Sequence, residues 1–267
     1  MTIADFLHGV TKQFEAAGIL SARLDAQVLL ERTLKQNKAW LLAHGEEEIG
    51  PEKLVTLHAQ AQRRAAREPL AYILHTQEFY GRNFTVTPDV LIPRPETETM
   101  IEELKALPLP DNARVLDVGT GSGAIAITAE LELPHLHTEA CDVSAPALAV
   151  AQQNAGRLGA NVTFFVSDLL ARAEHPYDAI IANLPYVAKN WQRSPETHFE
   201  PALALFAEDA GLELIKKLLS QAPQWLTKYG YVVLEADPRH FVHIKKVAEA
   251  AFTHVRSVGF TIILQKI

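Results

Sequence analysis

The sequence predicts an α/β fold in which a mostly parallel sheet carries helices on both faces, preceded by a small helical bundle and a β-hairpin linker. Three observations support this: helical periodicity through the first quarter, an aromatic and β-branched stretch after it, and short apolar runs alternating with helical ones beyond Asp111.

Up to about Leu74, apolar residues recur at helical spacing, as in Phe6, Val10 and Phe14, then Leu24, Val28 and Leu29, then Leu54, Leu57 and Ala61. Gly18 is a stop signal, Ser21 a candidate N-cap for a helix over 23–34, and Gly50-Pro51 a break before a helix that runs to Arg67. Residues 78–86 are rich in aromatic and β-branched types around a Gly-Arg-Asn turn signal, the pattern of a hairpin. In Leu91-Ile92-Pro93-Arg94-Pro95-Glu96-Thr97-Glu98 two prolines impose extended backbone before a helix opens on acidic residues. Strands are expected over 114–118, 137–141, 162–166, 179–182, 231–234 and 259–265. The expected organisation is a helical domain over 1–75, a hairpin linker over 76–95 and an α/β domain over 96–267 that binds ligands at the carboxyl ends of its strands.

With 267 residues, 48% of them hydrophobic and 21% charged, the chain has the balance of a folded globular protein. Its net charge of -7 argues against broad electrostatic nucleic-acid binding. Cys141 is the sole cysteine, so no intramolecular disulfide forms. The start, Met1-Thr2-Ile3-Ala4-Asp5-Phe6, lacks the basic-then-apolar order of a secretory signal, and no apolar run reaches membrane-span length. A cytoplasmic protein without a membrane partner is expected.

Val115-Leu116-Asp117-Val118 leads into Gly119-Thr120-Gly121-Ser122-Gly123 and then directly into a helix from Ala124. Glycines here permit positive φ and close backbone approach, so the turn can wrap a ligand at a helix N-terminus. Gly119-x-Gly121-x-x-Ala124 satisfies the loose dinucleotide fingerprint, with Asp142 about twenty residues on, where a ribose-binding acid sits. Asp117 at the strand end and the dense Gly-Thr-Gly-Ser-Gly resemble motif I of class I methyltransferases, which implies S-adenosylmethionine over a nicotinamide. The same resemblance puts Asp168 and Leu169 beside the adenine, although Asp168 also suits a helix N-cap.

The apolar run 177–182 ends in Asn183-Leu184-Pro185-Tyr186, at the sheet edge beside the cofactor crevice. An amide or exocyclic amine nitrogen shares its lone pair with a π-system and is a poor nucleophile. If its N–H groups are held by the Asn183 side-chain oxygen and the Leu184 main-chain carbonyl, the lone pair can be aimed at a methyl donor. Pro185 fixes the backbone, and Tyr186 offers an aromatic wall to a planar group. Read alone, the tetrapeptide also suits a simple turn after a strand.

Leu24-Asp25-Ala26-Gln27-Val28-Leu29-Leu30, Arg67-Glu68-Pro69-Leu70-Ala71-Tyr72-Ile73, Glu78-Phe79-Tyr80-Gly81 and the 91–98 string, together with residues 119–123, Asp142-Val143-Ser144 and 183–186, are similar to the HemK/PrmC glutamine methyltransferases. The resemblance implies a class I, Rossmann-like S-adenosylmethionine-dependent methyltransferase domain. It further implies methylation of the glutamine in the Gly-Gly-Gln loop of class 1 peptide chain release factors, with the helical domain holding the body of that partner. By this resemblance the cofactor contacts are residues 119–123, Asp142, Val143, Asp168, Leu169 and Asn183. Arg94, held between two prolines, is a candidate contact to cofactor or substrate. Leu184 stands where the family usually has Pro, yet its assigned role belongs to the main chain. The glycine-rich segment before the late helix appears as residues 206–212 and the family's late Glu-x-Gly as Glu235-Ala236-Asp237.

Two other functions remain open on sequence: an adenine amino methyltransferase acting on RNA or DNA, and a cofactor-binding protein without turnover. His135 with His137, and His240 with His243, lack a clear third ligand, so no metal site is expected. Arg63, Arg64 and Arg67 are expected on a solvated helix face, as is the acidic loop Glu46-Glu47-Glu48.

Overall fold

The structure, a computed structural model, describes residues 1–188, 191 and 193–267. The chain divides into two compact units, Met1–His75 with Ser194–Phe199, and Thr76–Arg193 with Glu200–Ile267. No helix among the described residues is long and apolar enough to cross a membrane.

The first unit holds helices α1 (Ile3–Ala16), α2 (Ala22–Leu34), α3 (Lys38–Ala43), α4 (Pro51–Ala65) and α5 (Leu70–Leu74). The Thr2 hydroxyl accepts from Asp5 N–H while the Asp5 carboxylate accepts from Thr2 N–H, a reciprocal cap that pins the start of α1. Phe6, Val10, Phe14, Leu29, Leu57 and Ala61 are buried together, which is what their helical spacing anticipates, whereas Leu24, read on the same stripe, is exposed. Two expectations change. The helix from Pro51 stops at Ala65, and Arg67 has φ 71°, outside the helix. Of the three arginines expected on a solvated face, Arg63 is exposed as expected, but Arg64 and Arg67 are not. The Arg64 side chain is 7% exposed, its Nε 2.7 Å from Asp25 and its Nη1 3.1 Å from Glu196, and Arg67 Nη2 reaches the other Glu196 oxygen at 2.8 Å. A buried guanidinium persists only with such partners.

The second unit opens with the hairpin β1 (Thr76–Phe79) and β2 (Arg82–Thr85). Its turn is Tyr80-Gly81, both with positive φ, one position before the Gly-Arg-Asn signal, because a two-residue loop needs that twist. There follow α6 (Glu98–Lys105), β3 (Arg114–Val118), α7 (Ala124–Glu132), β4 (His137–Asp142), α8 (Ala145–Leu158), β5 (Thr163–Val166), β6 (Tyr177–Ala182), α9 (Ala202–Leu205), α10 (Glu213–Trp225), β7 (Leu226–Glu235), α11 (Phe241–Ala248), β8 (Phe252–Val258) and β9 (Thr261–Lys266). Strand β8 is an addition to the expected set. Only its first residue is buried, so its sequence carries no core signal.

The sheet order is β5-β4-β3-β6-β7-β9-β8, with β3 to β7 parallel and β9 antiparallel to both neighbours. Alternate strand residues feed two cores. Leu116, Val118, Ile180, Val232 and Leu234 pack with Leu218 of α10 and Ile244 of α11. Val115, Ile181 and Val233 pack on the opposite face with Ile101, Ile127 and the hairpin residues Phe79 and Phe84. The chain crosses from β3 outward to β5 and returns to β6 on the other side of β3. A crevice therefore opens at the carboxyl ends of β3 and β6.

Candidate active site

The loop after β3 turns on Gly119 (φ 77°), Gly121 (φ 54°) and Gly123 (φ 81°), the last serving as N-cap of α7. It is tied to β4 by Gly119 and Thr120 N–H groups donating to the Cys141 carbonyl at 2.8 and 3.0 Å. Beneath it, Asp117 Oδ2 accepts from the Thr120 hydroxyl at 2.6 Å and from Ala126 N–H at 3.2 Å. Burial, the dominant effect, pushes the Asp117 carboxyl up to about 7. Asp142, at the end of β4, accepts from Gly121 N–H and Ser144 N–H, each at 2.9 Å. Burial raises its carboxyl and these N–H groups partly oppose that.

A cavity of about 390 Å³ lies over this loop. Of the residues singled out in the sequence, Arg94, Gly119, Thr120, Gly121, Ser122, Asp142, Val143, Asp168, Leu169, Asn183, Leu184 and Pro185 line it. Gly123 and Tyr186 are not in the lining. Gly123 is packed behind the loop, where an added Cβ would come within 2.7 Å of Ile127 Cδ1. At the far end, Asp168 Oδ2 is paired with Lys217 Nζ at 2.6 Å, and Leu169 is buried with φ 50°. The guanidinium of Arg94 is engaged by the buried Glu200 carboxylate, Nη2 to Oε1 2.5 Å.

The dimensions and donor set suit S-adenosylmethionine. A Cβ at Gly121 would meet no atom within 4 Å, so the backbone there faces open space, and a carboxylate stands beside it. The walls are mainly apolar with a few convergent polar groups, as ligand sites are.

Asn183-Leu184-Pro185-Tyr186 leaves β6 at the cavity. The Leu184 side chain is buried against the glycine loop, its Cδ2 filling the space where a Cβ on Gly119 would stand 3.0 Å away. Asn183 Nδ2 donates to Thr97 Oγ1 at 3.2 Å, and the Tyr186 hydroxyl donates to Glu235 Oε1 at 3.2 Å. Burial pushes the Glu235 carboxyl up, partly opposed by the Tyr186 hydroxyl, and raises the Tyr186 phenol as well. The main chain of Tyr186 lies on Gly211, which has φ 93° and where a Cβ would sit 2.1 Å from the Tyr186 carbonyl oxygen. Only glycine fits that position.

Thr97, Glu200, Gly211 and Glu235 are thus the neighbours that the sequence did not assign to the site. Thr97, Gly211 and Glu235 do fall within strings compared with the family, which was the available signal; Glu200 carried none. Among the described residues no group of acids, histidines and cysteine is arranged to hold a metal.

Residues 5–74 match the PrmC N-terminal domain family, and residues 95–199 the methyltransferase small domain family. The chain is 42% identical over 252 residues to the release factor glutamine methyltransferase of Koribacter versatilis, covering 90% of each chain. It is likewise 42% identical over 220 residues to that of Neisseria gonorrhoeae, covering 80% of each. In three dimensions it is similar to a methyltransferase from Pyrococcus furiosus, with a TM-score of 0.55 at 20% identity, covering 78% of this chain and 97% of that one. That likeness concerns the fold.

Proposed function

The chain belongs to the release factor glutamine methyltransferase family, and from that premise we propose that it transfers a methyl group from S-adenosylmethionine to the side-chain amide nitrogen of the Gly-Gly-Gln glutamine of a class 1 peptide chain release factor, in the cytoplasm. The observation that carries the reading is the position of Asn183-Leu184-Pro185 on the wall of the cavity that the glycine loop also lines. Bound S-adenosylmethionine supplies an electrophilic methyl group on a sulfonium centre.

The protein's part is to bind and orient. Asp142 takes the ribose hydroxyls, while Asp168 and Leu169 meet the adenine. The Asn183 side-chain oxygen and the Leu184 carbonyl each accept one N–H of the substrate amide, which holds its plane and turns the nitrogen lone pair toward the donor. Positioning of this kind supplies most of the acceleration. Methylation makes the nitrogen acidic, so its proton leaves to water and no strong base is required. Leu184 keeps the needed carbonyl, and its side chain fills the space beside Gly119.

The test is transfer of label from S-adenosylmethionine to three acceptors: a class 1 release factor, its Gln-to-Ala loop variant, and RNA. Label on the intact factor alone is expected. Label on RNA would make the chain a nucleic-acid enzyme, and cofactor binding without label would make it a binding protein. Asn183→Ala should abolish transfer while the cofactor still binds; undiminished turnover would remove the role given to Asn183.

A further inference from the structure

The chain that leaves the acceptor tetrapeptide rests on residues 205–211. Val187 N–H donates to the Leu205 carbonyl at 3.1 Å, Ala207 N–H donates to the Val187 carbonyl at 3.3 Å, and the Tyr186 carbonyl closes on Gly211. Asp209, Ala210 and Gly211 all have positive φ, at 52°, 54° and 93°, a conformation that residues other than glycine disfavour. A turn of this kind relaxes unless its surroundings hold it. One outer anchor, Lys216 Nζ to Asp209 Oδ2 at 2.5 Å, is half exposed and contributes little in water.

The buried anchor is His240, which is 5% exposed. Its Nε2 is 3.1 Å from the Ala210 carbonyl oxygen. A Cβ on Gly211 would stand 3.1 Å from His240 Cε1 and 2.1 Å from the Tyr186 carbonyl oxygen, so Gly211 is pressed between the imidazole and the Tyr186 main chain. Nδ1 is buried without a hydrogen-bond partner among the described residues, so a proton there would go unsatisfied, and the ring carries its proton on Nε2, where it donates to Ala210. The ring plane is fixed as well. Trp191 stacks on it at 5.5 Å with 28° between the planes, and Arg239, gripped by Asp237 through hydrogen bonds of 2.8 and 2.6 Å, lies 4.0 Å from the Trp191 ring centre.

We propose that His240 is a positioning residue for methyl transfer: its hydrogen bond to Ala210 holds the left-handed turn 209–211 behind Tyr186, and so keeps the Leu184 carbonyl aimed at the substrate amide. This rests on the reading of that carbonyl as an acceptor for the glutamine. Pro185 has a fixed φ, so fewer torsions remain to absorb a shift of Tyr186, and the shift passes to the Leu184 carbonyl. The glycine loop is tied to β4 instead, so cofactor binding does not depend on this brace.

Two substitutions separate the hydrogen bond from the ring. His240→Gln loses the stack on Trp191 but keeps an N–H donor within reach of Ala210, whereas His240→Phe keeps the stack and loses the donor. With a class 1 release factor as acceptor, His240→Phe should lower kcat by about ten- to a hundredfold, the scale of a misplaced reacting group, while His240→Gln stays within about threefold and both keep S-adenosylmethionine affinity within about twofold. A ring needed only for packing would rank the two the other way, because phenylalanine is the better filler. His240→Leu removes the donor in a smaller side chain, and a loss confined to phenylalanine would be a clash and would overturn the brace.

The second readout needs no activity. In the 15N-labelled protein without substrate, the Val187 and Ala207 amides should exchange slowly in the wild type and in His240→Gln, and about tenfold faster in His240→Phe. If the wild type labels no release factor yet this exchange pattern holds, the acceptor reading falls and the brace stands. Equal exchange in all three proteins, full turnover in His240→Phe, or a loss in His240→Gln as deep as that in His240→Phe, overturns the brace.

Discussion

Asp117 offers a sharp test because its burial energy has a calculable pH dependence. The perturbation is Asp117→Asn. The carboxyl is fully buried, accepts two hydrogen bonds on Oδ2, and leaves Oδ1 without a partner among the described residues. Its proton affinity rises from the ordinary 3.8 to about 7 on folding, mainly through burial. A raised carboxyl is fully compatible with the fold below the unfolded value and costs stability as pH rises through the folded one. At about 1.4 kcal/mol per tenfold in proton affinity, the loss from acid to alkaline pH is about 4 kcal/mol. Asparagine can keep the Oδ2 bonds but places an unpaired NH2 where Oδ1 was, at a pH-independent cost of about 1–3 kcal/mol. The variant should thus be less stable than the wild type by about 1–3 kcal/mol near pH 4 and more stable by a similar amount near pH 8. The swing of about 4 kcal/mol does not depend on the amide's own cost. Urea midpoints across this range, followed by hydrogen exchange of the peptide covering β3, measure it. Parallel stability curves for the two proteins, with a swing below about 1 kcal/mol, would refute the account of Asp117 as a charge buried at cost.

Asp142→Ala should weaken S-adenosylmethionine binding by about ten- to a hundredfold in calorimetry, from the loss of the hydrogen bond from Gly121 N–H and of those proposed to the ribose; unchanged affinity counts against the ribose role. Gly211→Ala combines a disfavoured φ with a Cβ that collides with the Tyr186 carbonyl, so it should cost about 2–4 kcal/mol in thermal unfolding and lower kcat; a variant equal to wild type in both would show that Tyr186 does not depend on Gly211. For Glu196, burial raises the carboxyl, but Ser194, Arg67 and Arg64 outweigh it and hold it at about 2. The stability it confers is complete above about 4.5 and lost as pH falls through about 2, worth about 1–2 kcal/mol after solvent screening. Acid titration of α4 exchange protection should show this loss in the wild type and not in Glu196→Gln; identical profiles would mean that the arginines do not rely on Glu196.

The sequence by itself determined most of the strands and the principal motifs. The glycine loop, the strand before it and Asn183-Leu184-Pro185-Tyr186 are local strings whose backbone demands are written in their own residues. The alternation of apolar runs placed both at strand ends, and topology made those ends neighbours. Tertiary structure alone decided what stands behind them. Asn183 and Thr97 are 86 positions apart, Tyr186 and Glu235 49, Arg94 and Glu200 106, and Arg64 and Glu196 132. No periodicity relates such positions. A charged residue at helical spacing reads as solvated until the fold supplies its counter-charge, as Asp25 and Glu196 do for Arg64. Edge strand β8 is likewise defined by its pairing with β9 rather than by a core face. Hydrophobic patterning and turn chemistry act over a few residues and are legible in order along the chain, whereas a buried polar group is stable only through partners that folding brings to it.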